Sequence, residues 1–183
     1  MTAWSSWSEQ PSAVGSSTLI VFAGLPGVGK TIISGALARE IAAVYLRIDS
    51  IEQTLRESAA LVQPINDAGY RVAYALAENN LRMGRTVVAD CVNPILITRK
   101  AWRDVADRAR ARIFEIELQC SDVKEHRRRV ESRSSDIQGL VLPTWNDVLT
   151  REYQPWDRKH LEIDTATNTP NEALARIRRM LQG

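Results

Sequence analysis

A chain of 183 residues with a net charge of +2 suits one folded unit with one core, and its charge alone gives no reason to expect a nucleic-acid partner. With 44% apolar and 25% charged residues it does not read as disordered, and Arg or Asp interrupts every apolar run short of a membrane span, so no membrane partner is expected. The two cysteines, Cys91 and Cys120, are far apart and form neither a disulfide framework nor a metal-site spacing; the cytoplasm is the expected compartment.

In chain order, residues 1–17 are rich in Ser, lack the basic start and apolar stretch of a signal peptide, and read as a loose arm ahead of one unit spanning 18–183. Residues 18–23 (TLIVFA) are a short β-rich apolar run, the first predicted strand. Residues 30–41 follow with helical spacing, Ile33, Leu37 and Ile41 sharing a face. Residues 44–48 give a second strand, and Asp49 or Ser50 is suited to cap a helix running to about 58. Tyr70, Tyr74, Leu76, Ala77 and Leu81 give a helix over 67–83 its apolar face, and Gly84 stops it. Residues 86–89 form a third strand ending at Asp90, 95–110 a helix, 112–118 a fourth strand and 123–133 a strongly basic helix. Residues 134–144, with Ser134, Ser135, Gly139 and Pro143, read as a loop; 145–153 is a helix, 161–164 a fifth strand and 171–181 a closing helix. Strands alternating with helices imply an α/β fold: a parallel sheet, helices on both faces and right-handed crossovers.

Between the first strand and the first helix lies Gly24-Leu25-Pro26-Gly27-Val28-Gly29-Lys30-Thr31, a full match to G-x-x-x-x-G-K-[ST] in the strand–loop–helix context the motif requires. Its glycines let backbone N–H groups turn inward to cradle phosphates. Lys30 offers a cation to the β- and γ-phosphates, the Thr31 hydroxyl suits Mg²⁺, and Ile32 completes the nucleotide-contacting stretch. ATP and Mg²⁺ are therefore the expected cofactors. Ligands of a parallel sheet collect beyond the carboxyl ends of its strands, where Asp49, Asp90 and Asp164 fall. Asp49 is the candidate general base for an acceptor hydroxyl, and Asp90 suits positioning of Mg²⁺ directly or through water. Asp164 reads as the end of its strand, shaping the adenine-side loop. In the basic helix Arg129 and Arg133 are four apart and can project together as arginines of a lid over about 127–146; Arg127, Arg128 and His126 read as surface. Tyr70 and Tyr74 fall on the acceptor side, where a plain core role is the competing reading.

Three segments together resemble the small P-loop predicted-kinase group, which includes chloramphenicol phosphotransferase, the zeta-toxin kinases and the kinase domain of polynucleotide kinase. They are residues 24–31, Arg47-Ile48-Asp49-Ser50-Ile51-Glu52, and Val88-Ala89-Asp90-Cys91-Val92-Asn93-Pro94 with Thr98-Arg99. The resemblance implies a P-loop three-layer sandwich with a five-stranded sheet in the order 2-3-1-4-5, and transfer of the ATP γ-phosphate to a hydroxyl. It makes Asp49 similar to the acceptor-activating carboxylate, Arg129 and Arg133 similar to lid arginines, and Asn93 and Arg99 similar to the polar substrate segment of the group. Where polynucleotide kinases carry an Arg soon after the catalytic Asp, this chain has Gln53 and Thr54, the nearest being Arg56. The reading is an ATP-dependent kinase, as monomer or homodimer, acting on a small hydroxyl compound. The competing readings are a polynucleotide or nucleoside kinase, with a nucleic-acid 5′ end as acceptor, and an ATP-binding switch with slow ATPase activity.

Overall fold

The computed structural model describes residues 17–59 and 63–182, so nearly all of the arm expected over residues 1–17 lies outside the described residues. The elements run β1 (Thr18–Ala23), α1 (Lys30–Glu40), β2 (Val44–Arg47), α2 (Ile48–Glu57), α3 (Ala68–Arg82), β3 (Val87–Asp90), α4 (Leu96–Ala109), β4 (Arg112–Gln119), α5 (Val123–Ser132), α6 (Trp145–Thr150), β5 (Leu161–Asp164) and α7 (Pro170–Gln182). All five strands are parallel, in the order β2-β3-β1-β4-β5.

Apolar runs on the inner strands follow from burial on both sheet faces. Along β1 the side chains alternate. Ile20 and Phe22 join Ile33 and Leu37 of α1 and Ala173 and Ile177 of α7. Leu19 and Val21 join Ala73, Ala77 and Leu81 of α3 and Trp102 and Val105 of α4. No helix among the described residues is long and apolar enough to cross a membrane.

Register brings the chemistry to one edge. Phe22 lies opposite Asp90, and Asp90 opposite Arg47, so β1, β2 and β3 end side by side with their loops projecting from the same side. One expectation is corrected here. Asp49 does not cap α2: the helix already begins at Ile48, Arg47 holds the cap position, and Asp49 sits inside the first turn.

Candidate functional site

The loop from Gly24 to Gly29 is held by close backbone contacts. Gly24 has φ +131° and its N–H donates to Val92 O at 3.1 Å; a Cβ there would lie 2.2 Å from Leu118 O. Gly27, at φ +87°, leaves room for Val130 of α5, whose Cγ2 would be 2.5 Å from an added Cβ. The first helix then opens with Gly29 as cap, leaving its first N–H groups aimed at the cavity where an anion would sit. Lys30 is buried, and its Nζ donates to Leu25 O at 2.9 Å. Burial lowers its pKa, while the carboxylates of Asp90 and Asp49 oppose that shift.

Thr31 Oγ1 donates to Asp90 Oδ2 at 2.8 Å, and Tyr45 Oη donates to the same oxygen at 2.7 Å. A hydroxyl and a carboxylate in contact at the mouth of a phosphate-binding loop are the hard oxygen donors that Mg²⁺ takes, so the residues fit that ion. Tyr45, which sequence reasoning passed over, follows from the β2 register, two positions before Arg47 on the same face. Burial first, and the charge of Asp90 second, push its phenol pKa up, so it stays a donor.

Three further charged groups converge beside Lys30. Asp49 is exposed on the cavity wall. Arg133 follows the end of α5, and its Nε and one terminal nitrogen are buried without a hydrogen-bond partner. Burial lowers the Arg133 pKa, and Asp49 opposes that shift. Arg47 donates to Asp136 at 2.6 Å while its Nε is buried and unpartnered. Arg129 also lines the cavity, but its donors are taken: Nε by Glu125 at 2.7 Å, and the terminal nitrogens by Thr165 Oγ1 at 3.0 Å and Thr165 O at 3.1 Å. Thr165 in turn donates to Val28 O at 3.0 Å, so Arg129 braces the loop after β5 against the phosphate loop. Asp164 ends β5 and shapes that loop, accepting from the N–H groups of Ser121 and Ala166. Arg127 and Arg128 are exposed and pair with Glu131 and Glu125.

His126 is not on the surface. It is 6% exposed, its Nε2–H donates to Pro26 O at 2.8 Å, and Trp145 packs edge-on against its ring at 5.2 Å. A carbonyl only accepts, so the contact fixes the proton on Nε2. His126 and Val130, one turn apart, form the buried stripe of α5; the surrounding basic residues hide it in the sequence.

On the acceptor side, Tyr70 lines the cavity and accepts from Asn93 N–H at 3.0 Å. Tyr74, Asn93 and Arg99 do not line it. Tyr74 donates to Thr98 O at 3.3 Å and meets Trp102 edge-on at 4.6 Å, a core role. Asn93 is fully buried at φ +48°. Arg99 is also fully buried; it donates to the carbonyls of Asn93, Pro94, Gln154 and Pro155 and lies under the rings of Tyr153 and Trp156. Its charge is spent on backbone, so it shapes the loop after Asp90 and offers no donor to a substrate. Glu52, Gln53, Arg56 and Arg151 also line the cavity, as do Ser134, Ser135, Asp136 and residues 139–143; the open cleft is about 1430 Å³.

Residues 19–152 match the family model described as an AAA domain. The chain belongs to this AAA-domain family. No curated protein matches it. Solved structures do. The APS kinase CysC of Mycobacterium tuberculosis, in complex with AMPPNP and APS, is 18% identical over 92% of this chain and 99% of its own, with a TM-score of 0.69. Kti12 of Chaetomium thermophilum, in complex with ADP-AlF3, is 20% identical over 90% and 100%, at 0.65. A gluconokinase of Sinorhizobium meliloti is 19% identical over 92% and 95%, at 0.61. At these identities the likeness establishes the fold. The AAA-domain protein thus has the P-loop three-layer sandwich with strand order 2-3-1-4-5, and the resemblance to small P-loop kinases holds at the level of the fold.

Proposed function

We propose that this AAA-domain protein is a phosphotransferase that moves the γ-phosphate of ATP to a hydroxyl of a small molecule. The observation that carries the reading is Arg133: a half-buried guanidinium whose Nε and one terminal nitrogen are buried and unpartnered, lining the same cavity as Lys30 and Asp49. A buried cation without a hydrogen-bond partner is costly in the free protein, and an incoming phosphoryl group supplies the missing acceptors.

In this reading the loop N–H groups and Lys30 hold the ATP phosphates, and Arg133 neutralises charge on the transferred group. Asp49 orients the acceptor hydroxyl and takes its proton. Thr31 and Asp90 would hold Mg²⁺, which neutralises phosphate charge when bound. Arg129 keeps the loop after β5 in place for the nucleotide, and residues 134–143 act as the lid. The mixture of Glu52, Arg56 and Arg151 lining the cleft favours a polar acceptor.

The test is ADP release from ATP and Mg²⁺ across a library of sugars, amino alcohols, nucleosides and 5′-hydroxyl oligonucleotides. Acceptor-dependent release, falling by about 10²-fold or more in Asp49→Asn, is expected. Release that ignores every acceptor and is unchanged in Asp49→Asn would overturn the proposal in favour of an ATPase switch.

A further inference from the structure

On the α4 side of the β4–β5 edge, away from the phosphate loop, three ligand-type side chains converge. Glu117 of β4 lies opposite Glu162 of β5 in the register, and His160 immediately precedes β5. His160 Nε2 is 3.0 Å from Glu117 Oε2 and 3.3 Å from Glu162 Oε1. Among the described residues this is the one cluster of three His, Cys, Asp or Glu side chains whose donor atoms all lie within 4.8 Å of one another.

The other ring nitrogen sets the chemistry. His160 Nδ1 is 3.0 Å from Arg158 O, and because a carbonyl only accepts, Nδ1 carries a proton. With the ring neutral, the Nε2 lone pair would face the two carboxylates. A metal-ligating histidine has this arrangement, with its remote N–H fixed by a backbone carbonyl. In a tetrahedral site with bonds of about 2.0–2.1 Å, neighbouring ligand atoms are about 3.3 Å apart, close to the two spacings at Nε2. The His160 side chain is 5% exposed and stacks on Trp156 at 4.0 Å, so the ring is held rigidly, while Glu162, 60% exposed, leaves a path from solvent.

We propose that Glu117, His160 and Glu162 form a binding site for Zn²⁺, separate from the nucleotide site, with the fourth position open to water. One imidazole nitrogen with two carboxylates selects a borderline transition-metal ion over Mg²⁺, which prefers an all-oxygen shell. A bound ion staples residues 151–160 to the sheet. That segment carries Gln154 and Pro155, whose carbonyls hold Arg99, and Arg99 shapes the loop after Asp90. The site therefore braces the acceptor wall from behind.

The experiment is titration of the chelator-treated full chain with ZnCl₂, followed by calorimetry for the parent, Glu162→Gln and His160→Gln, and by the ¹⁵N shift of His160 Nε2 for the parent and Glu162→Gln. One equivalent bound in the parent, a shifted Nε2 resonance, at least about 10-fold weaker binding in Glu162→Gln and none at this site in His160→Gln are expected, with no Nε2 response to MgCl₂. Because Glu162 is largely exposed, Glu162→Gln keeps the fold, and an unchanged circular dichroism spectrum verifies it. An Nε2 that stays protonated through the titration, or Zn²⁺ binding of equal strength in all three proteins, identifies the cluster as an imidazolium held by two carboxylates and overturns the proposal.

Discussion

At the scale of single residues, the site separates groups whose charge is already used from groups that wait. Arg99 and Arg129 have their donors taken by protein, and Lys30 rests on a loop carbonyl within reach of two carboxylates. Arg133 alone among the cavity arginines keeps two buried nitrogens unpartnered without a counter-ion in contact. Its desolvation is a cost that no hydrogen bond in the free protein offsets. Replacing it with Met, similar in length and apolar, removes that cost while keeping the packing. Arg133→Met should therefore melt at the same temperature as the parent or higher, while kcat falls by about 100-fold and KM for ATP changes far less, since a transition-state donor is lost. Scanning calorimetry beside steady-state kinetics checks both halves. A fall in both Tm and ATP affinity, with kcat kept, would make Arg133 a structural residue.

At the scale of elements, α5 is the part that connects the phosphate loop to the rest of the site. Asp122 caps it, accepting from the N–H groups of Lys124 and Glu125, and its buried stripe of His126 and Val130 lies against Pro26 and Gly27. That stripe was poorly legible in the sequence. Two residues one turn apart among four arginines give almost no apolar periodicity, and burial of the histidine is decided by a loop a hundred positions away. The phosphate loop was fully legible, because its motif depends on local backbone geometry alone. A consequence is that Gly27 serves two masters, a left-handed backbone and close helix packing. Gly27→Ala should cost about 1–2 kcal/mol for the positive φ and more for the clash with Val130, and weaken ATP binding as the loop shifts. Gly27→Ala with Val130→Ala should recover the steric part and leave the backbone part. Full additivity of the two single changes, measured by denaturant unfolding, would show that the loop and α5 are not in packed contact.

At the scale of the whole molecule, strand order was legible only through the family resemblance; alternation of elements alone gave the parallel sheet. What the pattern could not give is the path of residues 151–160, which have no regular structure until β5 begins at Leu161 and are held by contacts remote in sequence. Arg99 was misread for that reason: a motif arginine near a strand end looks like a ligand contact until Gln154 and Pro155 are seen to close over it. The arginine joins three regions, the loop after β3, the start of α4 and the segment before β5, through donors in a flat fork that an ammonium group cannot reproduce. Arg99→Ala should leave several buried carbonyls without a donor and cost about 3 kcal/mol or more. Arg99→Lys should recover less than half of that, because one nitrogen cannot span carbonyls on both sides. If Arg99 acts through structure, the surviving folded fraction of Arg99→Lys, assayed well below its melting temperature, keeps the parent KM for the acceptor. A large rise in that KM with Tm unchanged would instead return Arg99 to the substrate, and with it the whole acceptor wall would have to be moved to the α4 side of the loop.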